Sequence, residues 1–251
     1  MKHQLSFVLI AFTLGLFACN ETDNTNEEAV TGNAKIIVSI FNDGDPLELE
    51  TRTYTNDAGN EYTVSEFKFY LSNVKLRNTS TGDLFIEPDS YHLVERSPES
   101  HVYEIEITNV PLATYNELEF AIGVDNAQNY SLDNIGALDP SNNMAWDWNT
   151  GYKFLLLEGR FTTQNQEQAG VVMHIGGDSN YRRLIMPLNQ PVTVNSSNST
   201  NFLIDVEVSQ IFKDPTTIDF NENNVVMFDA ISTKLSANYA KNAFTLRSVE
   251  N

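Results

Sequence analysis

The chain is short of the residue types from which most catalytic and metal centres are built. Only one cysteine, Cys19, and four histidines occur among 251 residues. One thiol allows neither an internal disulfide nor a thiolate metal cluster. Lys and Arg number 15 against 34 Asp and Glu, for a net charge of −19. So acidic a surface argues against nucleic acid as a partner and repels an anionic membrane. Catalytic motifs are missing too. There is no G-x-S-x-G elbow and no HExxH, and Gly176-Gly177 lacks the lysine and spacing of a phosphate loop. Carboxylates are many but scattered, so spacing singles out no glycosidase-type pair. A hydrolase built on them has no motif behind it, and the chain reads as a binding protein rather than an enzyme.

A hydrophobic run longer than a strand occurs only at the start. Residues 5–17 (LSFVLIAFTLGLF) follow Lys2 and His3 and have the length of a signal h-region, too short for a permanent spanning helix. The run ends in Leu16-Phe17-Ala18-Cys19, which resembles the lipobox of bacterial lipoproteins. Residues 1–18 are therefore expected to be a lipoprotein signal peptide and Cys19 the lipidated first residue. Polar, acidic residues 19–33 read as a flexible tether. The membrane is then a partner through the lipid at Cys19. The expected location is the bacterial cell envelope, on the periplasmic side or at the cell surface.

Residues 34–251 read as a single domain. Apolar, β-branched or alternating runs predict strands at 34–41, 62–70, 74–76, 91–95, 102–107, 118–124, 152–161, 171–175, 183–186 and 202–208. The apolar phase changes near Glu66. Helix signals are few; the best is 225–239, where Phe228, Ile231 and Leu235 recur at helical steps. The expected fold is all-β: an antiparallel sandwich or barrel-like domain with a short C-terminal helix.

What is present concentrates in residues 138–159 (LDPSNNMAWDWNTGYKFLLLEG). Both tryptophans, Trp146 and Trp148, lie there, with Met144 two residues before the first. In an extended segment all three share a face. Asn149-Thr150-Gly151 reads as a turn. Two readings stand side by side. The segment drops two indoles into the core, or a soft sulfur beside two oxidisable rings serves copper or redox chemistry. Of the histidines, His3 leaves with the signal and His101 follows Pro98-Glu99-Ser100 in a loop. His92 is opposite in phase to Tyr91 and Leu93. His174 stands at a strand end before the glycine pair, where scaffolds present function.

Taken together, FKFYLSNVKL, YHLVE, LEFAIGVDNAQN, GALDPSNNMAWDWNTGYKFLLLEG and VVMHIGG, in that order, resemble the MbnP-like proteins. The M-x-W-x-W-x-x-G-Y core is the specific part. The resemblance implies an all-β, periplasmic or lipid-anchored copper-binding protein. It implies a site of histidines together with a tryptophan oxidised to kynurenine by a di-haem partner of the cytochrome c peroxidase type. Carried over, Trp146 or Trp148 is the oxidised residue and His174 the leading ligand. His92 and Met144 are further ligand candidates, with Asp125, Asn42 and Tyr152 around them. One departure matters. Where the family pattern has a histidine after the first strand, this chain has Phe41-Asn42-Asp43-Gly44-Asp45-Pro46-Leu47, and an oxygen donor suits Cu(I) poorly. The expectation is a copper-binding envelope lipoprotein. The alternative is a metal-free structural or interaction lipoprotein that keeps the fold.

Overall fold

The computed structural model describes residues 30–131, 133–147 and 149–251. Cys19, the expected leader and Trp148 lie outside them. Alternation drives the strands: in β1 (Thr31–Asn42), Ala34, Ile36, Val38 and Ile40 are all buried. Then follow β2 (Asp45–Pro46), β3 (Tyr54–Thr55), β4 (Glu61–Arg77), β5 (Leu84–Ile86), β6 (Tyr91–Glu95), β7 (Val102–Pro111) and β8 (Thr114–Ile122). After the short α1 (Asn126–Asn129) come β9 (Lys153–Thr162), β10 (Gln168–Gly176), β11 (Arg182–Thr193), β12 (Thr200–Glu207) and β13 (Val225–Val226). The chain closes with α2 (Ala230–Asn238) and β14 (Phe244–Glu250).

The strands form two sheets packed as an open sandwich, not a closed barrel. In one, β14, β12 and β1 are neighbours and β7 pairs the other edge of β1. In the other, the 17-residue β4 is the spine of the order β11-β8-β4-β9-β10-β13. Phe67, Phe69, Phe120, Leu157 and Met173 face Ile36, Val38, Phe202 and Ile204 across one apolar core. The register of β4 shifts between Val64 and Glu66, the phase change visible in the sequence, and again between Ser72 and Lys75.

Three expectations are corrected. The sheets are mixed rather than antiparallel, because β1 runs parallel to β12 and β13 parallel to β10. The C-terminal helix starts at Ala230, not 225. Asp229 caps it, Oδ1 accepting from Ile231 N at 3.0 Å and Ser232 N at 3.1 Å, while Val225–Val226 is spent on pairing with β10. The first strand begins at Thr31, inside the expected tether, since Thr31 and Gly32 pair with Pro111 and Val110.

The bulge at Val64/Glu66 brings backbone very close to Gly159: a Cβ there would lie 1.9 Å from Thr63 O. Gly170, on the neighbouring strand, has open space around the same position. Gly159→Ala should therefore cost about 1–3 kcal/mol through overpacking, while Gly170→Ala stays within about 0.5 kcal/mol. Urea unfolding of the two variants checks this, and equal midpoints would contradict the packing account.

Candidate functional site

Strands β8 and β9 lie end to end along one edge of β4. Ile122 pairs with Leu71, and Leu155 with Phe69. One strand further out, β10 and β11 repeat the arrangement, Gly176 pairing with Lys153 and Arg182 with Ile122. The sheet is thus broken at one level. The described residues between 124 and 152 leave through the break and cover the outer face, where Val124, Leu138, Met144 and Tyr152 form a second cluster with Tyr70, Phe154 and Leu156. Tyr70 and Tyr152 meet edge to face, centroids 5.8 Å apart at 89°. Their hydroxyls donate to Ala137 O at 3.0 Å and Leu138 O at 2.6 Å, so neither buried phenol lacks a partner.

The cover returns as a hairpin. Lys153 N donates to Met144 O at 2.7 Å and Trp146 N to Gly151 O at 3.0 Å. Asp147 Oδ1 accepts from Asn149 N and Thr150 N, both at 2.9 Å, which makes the expected turn. This lays the Trp146 ring on Gly176. A Cβ at Gly176 would stand 2.5 Å from Trp146 Cζ3 and 2.4 Å from Tyr152 O, so only glycine admits the indole. Phe228 packs on the same indole, centroids 4.3 Å apart and tilted by 50°, and is itself 54% exposed.

His174 precedes Gly176 by two residues, so it leaves the same face, roughly 6.6 Å along the strand from where the indole rests. Its Nε2 lies 2.7 Å from Glu158 Oε1. Leu156 is its cross-strand partner, and beyond it Lys68 pairs with Glu66 at 2.7 Å and Glu95 at 3.2 Å. Burial pulls the imidazole below its ordinary value; the Glu158 bond opposes this and nearby Lys153 reinforces it. The ring is therefore neutral at pH 7, gives its Nε2–H to Glu158 and keeps a lone pair on Nδ1. A carboxylate behind one ring nitrogen is the arrangement that orients metal-binding histidines.

The other candidates are placed elsewhere. His92 is on β6, three strand spacings or roughly 14 Å from β10, with Nε2 2.9 Å from Glu87 Oε2. Asn42 is fully buried on the inner side, its Nδ2 donating to Tyr62 Oη at 3.0 Å. Asp125 caps α1 and accepts from Tyr91, Asn73 and Ala127 N, beyond the cover from His174. Met144 is sealed in the outer cluster, and the Tyr152 hydroxyl is spent on Leu138. Trp148 is outside the described residues. Among those residues, no three His, Cys, Asp or Glu side chains converge as a metal cage.

Sequence reasoning missed Glu158, Gly176 and Phe228. Glu158 has the right strand phase, but only the β9–β10 register shows that it faces His174. Phe228 falls at a helical spacing, which hid that it precedes the helix.

The His174 geometry has a pH consequence. Its folded-state pKa lies below the unfolded value of about 6.5, so the native state binds fewer protons between the two. Its contribution to stability is present above about pH 6.5 and is lost as pH falls through the folded value. NMR titration of the metal-free protein should place His174 below that reference, and Glu158→Gln should lower it further. A titration at or above the reference would refute the desolvation account.

These positions can be set beside known proteins. No curated relative matches the chain. Among solved structures it is similar to MbnP from Methylosinus trichosporium, with 13% identity and a TM-score of 0.54, covering 81% of this chain and 83% of that one. At that identity the likeness speaks for the fold alone. A family model described as MbnP matches residues 31–228. With most of its length under that model, the chain belongs to the MbnP family.

Proposed function

We propose that this protein is a lipid-anchored envelope member of its family that binds copper on the outer face of the sheet, at His174 and a tryptophan of the hairpin. Family membership supports a copper-related role. The observation that carries the reading is the indole of Trp146 resting on Gly176, two residues from a neutral His174 whose Nε2 is held by Glu158. The protein captures and hands on the metal rather than turning over a substrate.

As encoded, the patch falls short of a copper centre. It offers one imidazole, and an intact indole donates no lone pair. The reading therefore needs a donor made after synthesis. Opening the indole ring, with gain of one oxygen atom and loss of one carbon, yields kynurenine, whose aryl amine and ketone supply nitrogen and oxygen donors. A di-haem partner of the cytochrome c peroxidase type would catalyse the step, with two peroxide molecules as oxidant and oxygen source and the lost carbon leaving as formate; Trp146 and Trp148 are both candidates. Phe228 leaves the Trp146 site close to the surface. Anchoring at Cys19 and the envelope location rest on the leader sequence. Among the described residues no helix is long and apolar enough to cross a membrane.

A specific observation favours a second reading, a metal-free interaction protein. Where the family pattern carries a first-strand histidine this chain has Asn42 or Asp43, an amide locked to Tyr62 inside the sandwich or an exposed carboxylate, and neither is an imidazole.

Protein taken from its native envelope decides between them. Under the first reading it contains copper, and the peptide spanning Trp146 and Trp148 carries the kynurenine mass change. His174→Ala then lowers copper affinity by at least about tenfold. Two intact tryptophans and no copper would sink that reading and leave His174→Ala as a change in stability alone.

A further inference from the structure

On the other half of the outer face cations gather around one carboxylate. Glu119, on β8, has a side chain only 2% exposed and is ringed by three cations. Lys75 Nζ is 2.9 Å from Oε1 and an Arg183 NH group 3.8 Å from the same oxygen, while Arg77 lies 3.5 Å from Oε2. Register explains the convergence: Lys75 is directly across from Glu119 on β4, and Arg183 is two residues from its partner on β11. Arg77 also leans toward Glu117 at 3.8 Å. Three of only 15 basic residues thus meet at one carboxylate in a chain of net charge −19.

The pairing is loose on both sides. Glu119 Oε2 is buried without a hydrogen-bond partner among the described residues. Arg183 is 61% exposed, and its sole ion pair among those residues is the 3.8 Å contact. Beside these groups opens a cavity of about 470 Å³ lined by Lys75, Arg183, Tyr91, Tyr181, Glu119 and Asp125. Asp125 brings a second negative charge, but that charge is already taken up by Tyr91 Oη at 2.5 Å, Asn73 Nδ2 at 2.9 Å and Ala127 N at 3.0 Å. Burial would raise its carboxyl, yet these donors outweigh burial and hold it below the usual carboxylate range. The charged donors left over in the cavity are those of Lys75 and Arg183.

We propose that this cavity binds the oxyanion group of a small ligand, a carboxylate or a phosphate, between Lys75 Nζ and the Arg183 guanidinium, flanked by Tyr91 and Tyr181. Glu119 is the internal counter-ion: it holds the cations in position when the site is empty and competes with the ligand for them. Cations and carboxylates balance here, Lys75 and Arg183 against Glu119 and Asp125, whereas the chain as a whole carries −19, so the point repels an anion less than the rest of the surface does. The site lies across the cover from His174 and is independent of copper.

Calorimetry on the purified full chain at low ionic strength, with inorganic phosphate and acetate as separate probes, tests it. Saturable binding of either, weakened by salt, is the expected result. Phosphate alone would assign the phosphoryl class and acetate alone the carboxylate class. Arg183→Gln, at an exposed position that leaves the fold in place, should lower affinity about tenfold, the loss of one charge-assisted contact, and Arg183→Lys should recover part of it. Glu119→Gln should raise affinity by removing the competitor, with circular dichroism confirming the fold. No saturable binding of either probe, or binding that Arg183→Gln leaves unchanged, overturns the site. Weaker binding by a folded Glu119→Gln variant overturns the counter-ion role.

Discussion

The structure depends on one constraint: β4 runs unbroken for 17 residues while both strands outside it are interrupted at the same level. A break in a central sheet leaves backbone groups and an apolar face to be satisfied. Gly123 N repairs part of the ladder by donating to Tyr70 O at 2.9 Å. The apolar face made by Tyr70, Phe154 and Leu156 is then covered by the described residues between 124 and 152. Because two tyrosine hydroxyls tie that cover to its own carbonyls, it is a packed layer rather than a loose loop. Its two ends set the chemistry of the outer face. The first end places Asp125 among Tyr91, Asn73 and the start of α1, and the second lays Trp146 on Gly176.

Much of the fold was legible because burial imposes a period on strands. The alternation of β1 and β12, the phase change near Glu66 and the turn at Asn149-Thr150-Gly151 are all local patterns, and each corresponds to an observed feature. Parallel pairing of β1 with β12 was not legible, since a parallel and an antiparallel strand share the same alternation. The start of α2 was hidden by Phe228, whose spacing suits a helix although its ring serves Trp146. At the site, His174 and Trp146 stood out by residue type. Glu158 and the cations around Glu119 did not, because cross-strand partners are set by register and are far apart in sequence.

The two regions of the outer face differ in how charge is balanced. Around His174 carboxylates outnumber cations: Glu66 and Glu95 share Lys68, and Glu158 takes the imidazole proton donor. Desolvation still wins over these carboxylates and keeps His174 on the neutral side, the form in which an imidazole can bind a metal. Around Glu119 cations and carboxylates are equal in number, Lys75, Arg77 and Arg183 facing Glu117, Glu119 and Asp125, and Arg183 is held only by a 3.8 Å contact. The cover separates the two, so neither set of charges screens the other by direct contact.

This geometry also constrains where the copper ion proposed at His174 would find its other donors. Asn42, which with Asp43 stands at the end of the first strand, bonds Tyr62, whose ring packs edge-on against Phe212 and Phe220 inside the sandwich. His174 points out of the far face of the sheet that carries Tyr62, while Asn42 belongs to the other sheet. Donors bound to a metal sit about 2 Å from it, so groups on opposite faces of a sheet cannot share one ion. A histidine placed at position 42 would enter the apolar core and still not reach His174. Any centre built on His174 must therefore be completed from the outer face alone, by the hairpin that carries Trp146 and by the segment around Phe228 that packs on it.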